Sequence, residues 1–154
     1  MTETTNNDTI LKLRVEDVED LSVVAMLLQD ALVPVVDMAF LPSPSTNTHQ
    51  FALIASRFCW EKSCQNIDKT HSAARRHTAF VIGNVKSVQY KGIDREDKNL
   101  ILSLLTIFAD NEKNISLFFA GDGVVKIEID CLSCVLQDMA EPWPTKFVPS
   151  HKIA

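Results

Sequence analysis

Glycine is scarce in this chain, with four residues in 154. So few cannot furnish the glycine-rich loops that bring backbone N–H groups against phosphates, and neither Gly-x-Gly-x-x-Gly nor Gly-x-x-x-x-Gly-Lys-Ser/Thr occurs. Histidine is equally sparse. His49, His71, His77 and His151 have neither the spacing of a zinc helix nor that of a nucleophile dyad, and read as solvated surface. No serine stands in a Gly-x-Ser-x-Gly elbow. Carboxylates pair only in charged runs such as Asp94 to Asp97, which read as a solvated turn. No apolar run reaches the ~18 residues of a membrane helix. Basic charge is in deficit, and a net charge of −5 argues against a nucleic-acid binder working through bulk electrostatics. One basic stretch remains, with Lys62, Lys69, Arg75 and Arg76 set against Asp68.

What is present points to an ordinary globular domain. Hydrophobic residues make up 46% of the chain and charged ones 23%, enough to build a core without a membrane or a disordered-chain reading. Residues 1–8 lack both a basic n-region and an apolar h-region, so they read as a disordered lead-in and not as a signal peptide. A cytoplasmic location is the expectation, with the four cysteines reduced. A single domain is expected over residues 9–141, followed by an extended tail, 142–154, carrying Pro142, Pro144 and Pro149.

Alternation and helical spacing divide that domain. Ile10, Leu11, Leu13 and Val15 suggest a short strand. Asp17 and Asp20 then have the spacing of a capping box, and Leu21, Val24, Ala25, Leu28 and Leu32 make one helical stripe that Pro34 would end. Strands follow over 35–41, 50–61, 77–90, 100–108, 115–120 and 125–130, with Gly83-Asn84 marking a turn or bulge. Asp110 to Asn114 and Gly121-Asp122-Gly123 read as hairpin turns. The stretch from Lys62 to Ala74 reads as a long mobile loop. Asp130 would cap a short final helix running from Cys131 through Met139. A short echo, Lys12 to Val15 before Leu28-Gln29-Asp30 and Lys126 to Ile129 before Leu136-Gln137-Asp138, hints at a repeated strand–helix unit.

The fold class that results is α+β. About seven mainly antiparallel strands form a bent sheet or partly open barrel, with one long N-terminal helix and one short C-terminal helix. The strands from His77 to Asp130 followed by a helix match the second half of a pleckstrin-homology-like topology. A ferredoxin-like sandwich is the alternative.

Cys59-x4-Cys64 and Cys131-x2-Cys134 are candidate zinc or redox pairs. Packing is the stronger reading, because Cys59 alternates with Phe58 and Trp60 in a strand, and no metal site or cofactor is expected. Arginines stand out more. Arg57 and Glu61 share a strand face, and antiparallel pairing of 50–61 with 77–90 would bring Glu61 near Arg76. Arg57, Glu61, Arg76, Asp94 and Arg95 are therefore the candidate ligand-binding residues: either a salt-bridge network, or an edge whose guanidinium groups grip a carboxylate or phosphate. Trp143, between two prolines, is either a plug over the barrel mouth or a partner-docking residue.

Several of these pieces, in order, resemble a small alphaproteobacterial family known only as a domain of unknown function. They are Leu11-x-Leu13, Glu19-Asp20-Leu21, Leu28-Gln29-Asp30-Ala31, Arg57-Phe58-x-Trp60-Glu61, Arg75-Arg76, Gly92-Ile93-Asp94-Arg95, and Gly121-x-Gly123 through Asp138. The resemblance runs from about residue 10 to the Trp143 region. It implies a bacterial cytoplasmic setting and brings no activity, cofactor or catalytic residues.

Two functions stay open. The favoured one is a non-catalytic binding or scaffold module acting through a protein or peptide partner, since no nucleophile–base pair is visible and long apolar strands such as 100–108 could offer an edge. The alternative is a binder of an anionic small molecule, or an enzyme, built on Arg57, Arg76 and Arg95. A self-paired edge would make a homo-oligomer.

Overall fold

The computed structural model describes residues 11–58, 74–139 and 143–144. Among these residues ten strands, every pairing antiparallel, form one sheet carrying one α-helix. They are β1 (Lys12–Val15), β2 (Leu32–Pro34), β3 (Met38–Pro42), β4 (His49–Phe58), β5 (Ala74–Lys91), β6 (Ile101–Asp110), β7 (Asn114–Phe119), β8 (Gly123–Ile129), β9 (Cys134–Asp138) and β10 (Trp143–Pro144). The order is β1-β9-β5-β8-β7-β6-β2-β4-β3, with β10 on β5. β4 also pairs with β5, so the pairings return on themselves through β2, which meets β4 only at Leu32↔Ser56. Closure by so short a contact makes a strongly curved sheet, not a clear barrel.

The helix α1 (Val18–Leu27) starts as its capping residues dictate. Asp17 accepts from the Asp20 N–H at 2.8 Å, and the Asp20 carboxylate accepts from the Glu16 N–H at 3.2 Å. Leu21, Val24 and Leu28 are buried, as their spacing requires. The helix nevertheless ends at Leu27 and not at Pro34. Asp30 turns into the left-handed region at φ 66°, and its N–H donates to Leu104 while Ala31 accepts from the Leu104 N–H. The chain is captured as a sheet partner, so Leu32 belongs to β2 and Val35–Asp37 forms a 3-10 turn ahead of β3.

The C-terminal helix is not formed; residues 134–138 are strand β9. Leu132, Val135, Leu136 and Met139 fit a helical period, but over so few residues strand and helix are not separable by spacing. Tertiary pairing decides. β9 lies between β1 and the first half of β5, with Cys134, Leu136 and Asp138 facing inward. β8 continues along the same edge of β5 from Val85 onward. The connection between β8 and β9 is fixed where Asp130 N–H donates to Asn84 and Gly83 N–H donates to Ser133. Asn84 has φ 57° there, the irregularity that Gly83-Asn84 foreshadowed. The strand–helix echo and the pleckstrin-homology-like ending both fall with this helix.

The core is the concave side of the sheet. Its inward rows are Phe51, Leu53 and Ala55 on β4, Phe80 and Ile82 on β5, Leu104 and Ile107 on β6, Ile115 and Leu117 on β7, and Val125 and Ile127 on β8. Each fully buried large side chain is worth roughly 1.5–3 kcal/mol relative to exposure. Among the described residues no helix is long and apolar enough to cross a membrane.

Candidate functional site

Two clusters of polar side chains lie near opposite ends of this core. At the first, three inward rows finish together. The β4 row ends in Arg57, the β5 row in Thr78 and Arg76, and the β9 row in Asp138, all at most 2% exposed. Register explains the meeting. Arg57 is directly opposite Arg76, and Thr78 directly opposite Asp138.

The Asp138 carboxylate collects the donors. Arg57 Nε and Nη2 donate to Oδ1 and Oδ2 at 3.0 Å each, Arg76 Nη1 donates to Oδ2 at 3.2 Å, and Thr78 Oγ1 to Oδ1 at 2.7 Å. The Leu11 N–H adds a fifth bond at 3.1 Å, and Asp138 N–H donates back to the Leu11 carbonyl. Burial alone would push this carboxyl's pKa up. The bonds from Arg57 and Thr78, the Arg57 charge and the Leu11 N–H outweigh it and hold the pKa below the usual carboxylate range. Arg75, also buried, lies over the Phe58 ring at 5.1 Å and donates to Ser56 O and Oγ. The three arginines make further interactions beyond these. Such an ion cluster ties β1, β4, β5 and β9 together; with the carboxylate enclosed by its own donors, it is built to hold strands.

At the other end, Phe51 meets Tyr90 with ring centroids 6.4 Å apart. Beside them Val35, Val36, Met38, Tyr90 and Arg95 line a cavity of about 170 Å³. Arg95 stacks on Tyr90, its Cζ 3.8 Å from the ring centroid. The loop carrying Arg95 is held by close backbone contact. A Cβ on Gly92 would sit 2.9 Å from the Asp122 carbonyl oxygen, and one on Gly123 would sit 2.9 Å from Ile93. Asp94 spends its carboxylate on this loop, accepting from the Glu96 N–H at 3.1 Å. Among the described residues no carboxylate lies within ion-pair distance of Arg95. Burial raises the Tyr90 pKa, against the opposing pull of Arg95, so the phenol stays protonated and neutral.

Arg57 and Arg76 thus meet, while Arg95 lies by the far end of β5, and the three guanidinium groups do not converge. Glu61 lies outside the described residues, as do Cys59, Trp60, Cys64, His71 and His151. Trp143 enters β10 through its backbone, opposite Arg75. Cys131 is exposed and accepts from the Asn84 side chain at 3.0 Å, whereas Cys134 is buried and its thiol is pushed up to about 12. They sit on a turn and a strand, not on one helix face. Asp138, the centre of the ion cluster, is hidden in the sequence by the helical spacing of its neighbours. Its signal was the alternation Cys134, Leu136, Asp138.

A second cavity, about 190 Å³, is lined by Asp37, Ser56 and His77 among Leu32, Pro34, Ile54 and Ile101. Ser56 Oγ there accepts from Arg75 at 3.3 Å, and His77 lies directly across the strand pair from Ser56. β6, whose apolar length suggested an edge, lies inside the order between β7 and β2. The path instead ends on β1 and β3. β1 carries exposed Lys12 and Arg14; β3, Met38-Ala39-Phe40-Leu41-Pro42, carries no charge and leaves Phe40 and Leu41 each 43% exposed.

Nothing matches the chain among curated proteins or among solved structures. A family model described as a protein of unknown function (DUF2948) matches residues 11–151, and the chain belongs to that family.

Proposed function

We propose that this protein is a non-catalytic binding module that takes an extended segment of a protein partner as an added strand on β3. The supporting observation is the contrast between the two strands that end the sheet. Natural sheets guard such edges with charged side chains, prolines and short strands, because unpaired N–H and C=O groups template further pairing. β1 has its lysine and arginine, whereas β3 offers Met38 to Leu41 without a charge, and only Pro42 limits its length. A segment laid along β3 would gain main-chain hydrogen bonds from the edge and apolar contact from Phe40, Leu41 and Val36, itself 56% exposed. The bacterial cytoplasmic setting implied by the family resemblance belongs to this reading.

The test is selection of random-sequence peptides displayed on phage against the immobilised full-length protein. It is repeated with Phe40→Lys/Leu41→Lys, whose exposed positions leave the core intact. Enriched peptides are expected to bind the wild type and to lose at least roughly tenfold in affinity on the double variant, about 1.4 kcal/mol or more. Failure to enrich any peptide, or binding indifferent to the two lysines, would overturn the proposal. A concentration-dependent dimer that the lysines dissociate would also overturn it, by giving the edge to a second copy of the chain.

A further inference from the structure

Resting on that reading, we infer that the Arg95–Tyr90 cavity receives a carboxylate of the docked segment. Face and position make the connection. Met38 and Phe40 lie opposite Leu53 and Phe51 in the β3–β4 register, so they share the inward face of those two core residues. Met38 also lines the cavity with Val35, Val36, Tyr90 and Arg95. A strand added to β3 sets alternate side chains on that same face, next to Met38 and Phe40. The group beside Met38 meets the cavity.

The chemistry of the cavity selects an anion. Stacking on Tyr90 fixes the plane of the guanidinium and leaves its N–H edge for a ligand. Among the described residues that edge has no carboxylate, since Asp94 is engaged by its own turn. Val35, Val36 and Met38 supply apolar contact beside an arginine that is itself exposed, so a bound carboxylate keeps part of its hydration. A single fork beside a neutral phenol matches the single charge and two oxygens of a carboxylate. A phosphate dianion would need more positive charge than one arginine supplies. The carboxylate has two possible sources, an Asp or Glu side chain or a chain terminus.

A peptide enriched in the selection above is synthesised in three forms: unchanged, C-terminally amidated, and with each Asp or Glu replaced by its amide. Fluorescence anisotropy gives the affinity of each form for the wild type, Arg95→Ala and Arg95→Lys. Loss of the relevant carboxylate is expected to weaken binding roughly tenfold to a hundredfold, the range for hydrogen bonds between charged groups. Arg95→Ala should cost a similar factor and abolish the difference between the forms, with Arg95→Lys between. Whether amidation or side-chain replacement carries the effect identifies the source. If all three forms bind equally, or if the difference survives Arg95→Ala, the inference falls while the β3 edge stands. If no peptide binds at all, both fall.

Discussion

Arg57 and Asp138, 81 residues apart in sequence, are joined by two parallel hydrogen bonds of 3.0 Å inside the sheet. Each closes an inward row that is otherwise apolar. The pair fastens β4, near one end of the strand order, to β9, near the other.

Breaking that pair strands buried charge. Asp138→Asn is expected to lower stability by about 3–5 kcal/mol, because Arg57 and Arg76 lose the carboxylate they share. Arg57→Lys keeps the charge but not the fork, and should cost less, about 1.5–3 kcal/mol. Urea unfolding midpoints rank the three proteins. Equal midpoints for Asp138→Asn and the wild type would refute a structural role for the cluster.

The same carboxylate gives a pH dependence of known sign. Its folded pKa is lower than the unfolded one, near ~3.9, so its stabilisation is complete above about pH 4 and is lost as the pH falls through the folded value. The stability gap between the wild type and Asp138→Asn should therefore be constant near neutrality and narrow on acidification. A gap that widens in acid would mean the carboxylate is not held ionised by its donors.

Cys134 should resist thiol reagents in the native protein. Its thiol is buried and pushed up to about 12, so almost no thiolate exists at pH 8. Peptide mapping after iodoacetamide treatment is expected to find Cys134 unmodified until denaturant is added and Cys131, which is exposed, modified first. Early modification of Cys134 would contradict its place on the inward face of β9.

Two glycines separate backbone strain from steric contact. Gly92 and Gly121 both have positive φ, 69° and 85°. Gly121→Ala meets open space and should cost only the left-handed conformation, about 1–2 kcal/mol. Gly92→Ala adds a clash with the Asp122 carbonyl and should cost more, while shifting the loop that positions Arg95. Unfolding midpoints test the order. Near-equal costs would show that the Gly92 contact is loose.

Much of this was legible in the chain. The Asp17–Asp20 box, the turns at 110–114 and 121–123, and the antiparallel pairing of β4 with β5 are local or periodic signals; the register of that pairing is not, since it sets Arg57 opposite Arg76, and Glu61, the expected neighbour, lies outside the described residues. Two features were not readable. Residues 131–139 satisfy both periods over too short a span, so their assignment waited on the free edges of β1 and β5. Edge status itself is a property of strand order: Met38–Pro42 reads like any short apolar strand, whereas 100–108, apolar on both faces, reads as the central strand it is and has no edge to offer.

Hydrogen exchange at the β3 amides, with and without a selected peptide, tests the central claim most directly. The account expects the β3 amides that point away from β4 to exchange slowly only when the peptide is bound, while those paired with β4 are slow in both states. Unchanged β3 amides, with protection appearing instead over the outward face of β6, would contradict it.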